Sequence, residues 1–157
     1  MNSTELSTMK IKVIMKLVND PDIVELIDNN QEFEYPDDMI YERIFPFARI
    51  PETEQEVKSY VTVTVSVPSI SSNDIARDVR LIIRVITHES LMKVKKMNGT
   101  RIDLMSARVD KLLNESEEFG MGRVSLVSNT EHTLDSKHFF REMVFKVIDL
   151  NSRRYGA

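Results

Sequence analysis

Between Tyr60 and Ile70 the chain reads YVTVTVSVPSI, an alternation of valine with tyrosine, threonine and serine that ends at a proline. A period of two is the repeat of a β-strand, whose successive side chains point to opposite faces of a sheet. A helix would scatter these valines around its circumference. Val61, Val63, Val65 and Val67 therefore define one buried face, and Tyr60, Thr62, Thr64 and Ser66 define a hydroxyl face. Antiparallel sheets commonly bury one side only, so the hydroxyl face meets water, another protein or a substrate.

The remaining segments supply partners for this strand. Leu6, Met9, Val13 and Leu17, widened by Ile14 and Val18, recur at helical spacing behind a cap at Ser3. Asp20 then caps a short second helix with Pro21 at its first position and Ile23, Val24 and Ile27 on its apolar face, ending at Asn29 and Asn30. After the turn PSISSND, Leu81, Ile83 and Val85 mark one face of another strand. Ile82 and Ile86 make its second face partly apolar, so it is expected to be central or covered on both sides. The sequence LMKVKKMNGT predicts a lysine-rich loop or hairpin projecting from the sheet. Thr100 caps a helix carrying Ile102, Met105, Val109, Leu112 and Leu113 on one face, with Asp103 as capping partner and Gly120 and Gly122 at its exit. Two strands follow, one with Val124 and Leu126 and one with Phe139, Met143, Phe145 and Val147, joined as a hairpin around Asp135 to Lys137. The order predicts an α+β fold: one mixed or antiparallel sheet of about four strands flanked by helices. A single domain over 1–157 is expected, divided into N-terminal helices (1–28), an arm (29–58) and a sheet-and-helix core (59–151).

The arm breaks the pattern. QEFEYPDDMIYERIFPFARIPETEQEVKS holds three of the five prolines and an excess of acids over bases. It is too long for an ordinary connection, yet Phe33, Tyr35, Tyr41, Phe45 and Phe47 argue against a free linker, because ordering such a segment costs entropy that only buried rings offset. An ordered arm is expected, laid over its own sheet or over a neighbouring subunit.

Several function classes are excluded by what the chain lacks. With no cysteine there is no disulfide, thiolate metal site or cysteine nucleophile, and with four glycines little material for a phosphate-binding loop. The N-terminal segment mixes lysines into its apolar positions and reads as neither signal peptide nor membrane span, so a protein made and kept in the cytosol is expected. A net charge of −4 disfavours adhesion to nucleic acid. His88, His132 and His138 would hold zinc or iron only by converging with a carboxylate such as Glu131. One enzymatic pattern exists: Asp37 ahead of Glu56 and Lys58 resembles the aspartate and E-x-K order of magnesium-dependent nucleases, with the carboxylates holding the ion and the lysine orienting water. A charged lead-in to a strand is the competing explanation.

The strings ITHESLM, NGTRIDLMSARVDKLLNES and FGMGRVSLVSNTEHTLDSKHFFREMVFKVIDLN carry a family resemblance over 57–151. This part of the chain resembles the tail-terminator and neck proteins of tailed bacteriophages and related contractile particles. The resemblance implies a virion structural protein without enzymatic activity or cofactor, assembled in the host cytoplasm. It implies a homo-oligomeric ring, commonly a hexamer, that stops growth of the tail tube, docks to a neck or connector protein and lets DNA pass without specific binding. A head-completion or stopper protein is the nearest alternative. A ring contact joins two different patches of one subunit. The expected patches are the acidic aromatic arm (Phe33, Tyr35, Asp37, Asp38, Tyr41, Phe45, Phe47) and the basic set Arg80, Arg84, Lys93, Lys95 and Lys96, drawn together by opposite charge.

Overall fold

The computed structural model describes residues 3–27, 32–70, 76–119 and 122–150. The expected helix stop at Asn29 and Asn30, most of the PSISSND turn, Gly120 and the end of the core at Asn151 lie outside them. Helix α1 spans Ser3–Val18 and α2 spans Pro21–Ile27; the short strand β1 (Ile44–Phe45) and the strands β2 (Tyr60–Ile70) and β3 (Ala76–His88) follow. Helix α3 (Arg101–Leu113) precedes β4 (Ser125–Thr133) and β5 (His138–Leu150). The strands form one five-stranded sheet in the order β1-β2-β3-β5-β4, antiparallel except for β1, which runs parallel to β2. The fold is α+β, as the pattern of elements predicts.

Strand β3 is central, and all of its 13 residues pair with β5. Val63 lies opposite Ile83, and Ile83 opposite Met143; Leu81 lies opposite Phe145. These side chains are fully buried beneath Met9, Val13 and Leu17 of α1 and Ile102, Met105 and Val109 of α3. Burial of an aliphatic or aromatic side chain contributes about 1.5–3 kcal/mol, so this layer dominates the stability of the fold. Pro68 does not end β2. The strand continues to Ile70 through a register slip between Ser66 and Ser69, the irregular kind of position where a residue without an N–H is tolerated.

Capping fixes the helix layer. The Asp20 carboxylate accepts the Ile23 N–H at 3.0 Å and takes two hydrogen bonds from the Arg108 guanidinium of α3, at 2.8 and 2.6 Å. The Thr100 hydroxyl accepts the Asp103 N–H at 3.3 Å, while the Asp103 carboxylate accepts from Arg141 of β5 at 2.7 Å, locking α3 to the sheet. Arg108 holds the Asp20 carboxyl below its ordinary pKa. A depressed carboxyl pKa contributes stability that is complete above the unfolded value near pH 4 and is lost as pH falls through the folded value. Asp20→Ala should therefore cost more than the about 1 kcal/mol of a lost cap alone at pH 7. The gap between variant and wild type should narrow as urea unfolding is repeated at pH values falling progressively below about 4.

Candidate functional site

The face of the sheet opposite the helices carries Tyr60, Thr62, Thr64 and Ser66 from β2, with Ile86, Arg84, Ile82 and Arg80 directly across on β3. Phe140, Glu142, Val144 and Lys146 of β5 complete it. The arm lies over one end. It delivers Ile44 to the helix-side core and Phe45 to a second cluster with Tyr60, Ile86 and Phe140. The Phe45 and Tyr60 rings meet edge-on at 5.6 Å, and the Arg49 guanidinium sits 5.0 and 4.9 Å from their centroids. The hydroxyl face is thus divided: Tyr60 and Thr62 are buried, Thr64 is half-buried and Ser66 is exposed. Of the two placements expected for the arm, its own sheet receives Phe45.

Charges secure the covered end. Arg49 makes a two-pronged contact with Glu56, one bond at 3.0 Å, and Lys58 adds an ion pair to the same carboxylate at 3.4 Å. Burial pushes the Glu56 carboxyl up, but Arg49 and Lys58 outweigh it and leave it lowered. Glu56 in turn raises Arg49, and burial pushes the Tyr60 phenol up to about 12 while its hydroxyl donates to the Arg49 carbonyl at 3.3 Å. A pair of histidines, opposite each other on β3 and β5, grips the end of the arm. His138 is fully buried; its Nε2 lies 2.7 Å from the Glu56 carbonyl and its Nδ1 3.0 Å from both Asp135 oxygens. Both ring nitrogens therefore have an oxygen partner within hydrogen-bond distance. His88 stands edge-on at 5.1 Å, takes the Ser90 N–H at Nδ1, and directs Nε2 to the Glu54 carbonyl at 3.1 Å. Burial pushes the Asp135 carboxyl up, but the Lys137 N–H and the His138 ring outweigh it and hold the group low.

The nuclease residues are arranged differently from the E-x-K expectation. Glu56 and Lys58 precede the strand instead of lying on it, and Glu56 is engaged by Arg49 and Lys58. Asp37 is exposed in the 3-10 turn Pro36–Met39. Among the described residues no group of three or more His, Asp or Glu side chains could hold a metal ion. His132 stacks on Phe140 at 5.0 Å, apart from the other two histidines' pairing. Among the described residues no helix is long and apolar enough to cross a membrane.

The expected interface residues fall into two groups. Arg84 pairs with Glu142 at 2.9 Å and Arg80 with Asp78 at 2.9 Å, both within the chain. Phe33 is half-buried with Arg43 5.3 Å from its ring, and Phe45 is buried. Tyr35, Asp37, Asp38, Tyr41 and Phe47 are exposed on the arm, and Lys93, Lys95 and Lys96 are exposed on the loop before α3. The helices also border a groove of 820 Å³ between Val18, Pro21, Val24 and the arm residues Phe33 and Pro36. Long-range pairings that no local pattern announces hold these pieces in place: the Asp20–Arg108 pair spans 88 positions, and buried Arg101 joins α3 to the carbonyls of Leu26 and Leu91.

A family model described as YomW matches residues 15–147. No curated protein matches the chain. Among solved structures, a chain of the "Virion of native gene transfer agent (GTA) particle" shares the fold with a TM-score of 0.58 at 13% identity, over 88% of this chain and 92% of that one.

Proposed function

We propose, from the premise that the chain belongs to the YomW family, that it is a structural protein of a phage-type virion. The observation that carries this reading is the likeness in fold, over nearly the full length of both chains, to a component of a gene transfer agent particle. Within that class we assign it to the tail terminators, which form a ring at the head-proximal end of a tail and dock it to the head connector. The division of the sheet's second face supports this finer reading, since an arm seals one end and the half-buried Thr64 and exposed Ser66 lie toward the other. A polar sheet surface beside an acidic arm suits a subunit that packs against its copies around a channel, because like charge keeps DNA phosphates from adhering. Its partners are then further copies of the chain, a neck or connector protein and the tail tube. A head-completion or stopper protein is the rival within the class.

Electron microscopy of particles from a host in which the gene is inactivated separates the two. Loss of a terminator leaves full heads beside tails of irregular length, whereas loss of a stopper leaves heads that leak DNA beside tails of normal length. The nuclease reading predicts magnesium-dependent cleavage by the purified protein that Lys58→Ala abolishes. That result would replace the structural assignment.

A further inference from the structure

We propose that the exposed Tyr41–Phe47 ring pair of the arm is a docking surface for a second copy of this chain, and that it receives the lysine loop Lys93–Met97 of that copy. The proposal rests on the ring reading above and names its contact.

The first support is how the rings are held. Phe47 packs edge-on against Phe45 at 5.5 Å and Tyr41 lies 6.2 Å from Phe47, so a line of aromatic rings runs from buried Tyr60 outward to solvent. At its outer end Tyr41 is 63% exposed and Phe47 46% exposed. Tyr41 has a φ of 71°, a left-handed backbone conformation that a bulky residue adopts only where its surroundings impose it. Its N–H is fixed on the Ile44 carbonyl at 2.9 Å. A strained backbone that holds a large ring in water, next to a second exposed ring, points to recognition.

The second support is charge. Between Glu32 and Glu56 the arm has eight acidic residues against two basic ones, Arg43 and Arg49. Those two pair with Glu32 and Glu56. Asp37, Asp38 and Glu42, which flank Tyr41 in sequence, form no ion pair among the described residues. Of the basic set, Arg80 and Arg84 are matched within the chain, whereas Lys93, Lys95 and Lys96 are exposed with no ion pair among the described residues. The two unmatched patches therefore have opposite sign, as a head-to-tail contact between copies requires.

The third support is the shape of the loop. A bridge between Lys93 and Thr100 closes it, and Lys96 (φ 63°) and Gly99 (φ 124°) set its turn. It presents Met97, 51% exposed, beside the lysines. A thioether packs well on aromatic edges, and ammonium groups are attracted to both carboxylates and ring faces. Lys93 to Met97 thus offers the chemistry that Tyr41, Phe47 and their flanking acids accept.

The test is photo-crosslinking with Phe47 replaced by benzoylphenylalanine, in an equal mixture of nitrogen-14 and nitrogen-15 copies of the full chain at millimolar concentration. The expected product links position 47 of one isotopic copy to residues 93–97 of the other. It should fall at least tenfold in a Lys95→Glu/Lys96→Glu copy and return when that copy is mixed with an Asp37→Lys/Asp38→Lys copy. Links confined within one copy, links to other regions of the second copy, or no intercopy link would each overturn the proposal. Rings whose links map elsewhere would remove this contact and leave the assembly reading standing.

Discussion

Arg101→Met is expected to lower the stability of the protein by about 3 kcal/mol, enough to bring thermal unfolding down by roughly 6–12 °C for a domain of this size. Arg101 is 4% exposed, yet its partners are carbonyls: Nε donates to Leu91 at 2.7 Å and a terminal nitrogen donates to Leu26 at 2.6 Å. Leu26 lies in the last turn of α2, where the helix dipole places partial negative charge, so the guanidinium acts as the cap of a helix distant in sequence. Burial depresses its pKa, the mark of a charge held away from water. Methionine fills the space of the stem but takes the guanidinium donor from the buried Leu26 carbonyl and from the part-buried Leu91 carbonyl. Arg101→Lys, which keeps the charge and one donor direction, should retain part of the loss. A change below about 1 kcal/mol on Arg101→Met, measured by urea unfolding, would show that desolvating the charge offsets its hydrogen bonds.

His138→Ala is expected to cost a similar about 3 kcal/mol, combining a core cavity with the loss of the bonds to Asp135 and to the Glu56 carbonyl. Its effect should also be local. With the ring removed, the end of the arm loses its grip on the sheet, and Glu56 to Tyr60 should exchange amide hydrogens much faster than β3 and β5. Uniform acceleration throughout the sheet would instead make His138 an ordinary core residue. His88→Ala, at a half-buried ring holding the Glu54 carbonyl, should give the same pattern in weaker form.

Much of the architecture was legible because it is written at short range. The valines of β2, the Ile and Leu alternation of β3, the capping threonine of α3 and the turn before His138 each announce their element within about a dozen residues. β1 was not legible: two residues, Ile44 and Phe45, become a strand only because β2 offers an edge beside them. The arm's rings predicted order, but which sheet they cover depends on contacts such as Arg49 over Tyr60 that no local pattern encodes. The same holds for the basic set. Arg84 and Lys95 look alike in sequence, and only the pairing of β3 with β5 places Glu142 against the first and leaves the second exposed.

The bond between His138 and the Glu56 carbonyl spans 82 positions, and it has a consequence for how the protein is made. During synthesis the arm leaves the ribosome long before the two strands that receive it exist. Until residue 138 emerges, Phe45 and Tyr60 have no finished surface to close upon, and they wait as an uncovered sticky stretch. Closing that segment therefore waits for the hairpin of β4 and β5, and a nascent chain cut short before it should be a ready target for chaperones.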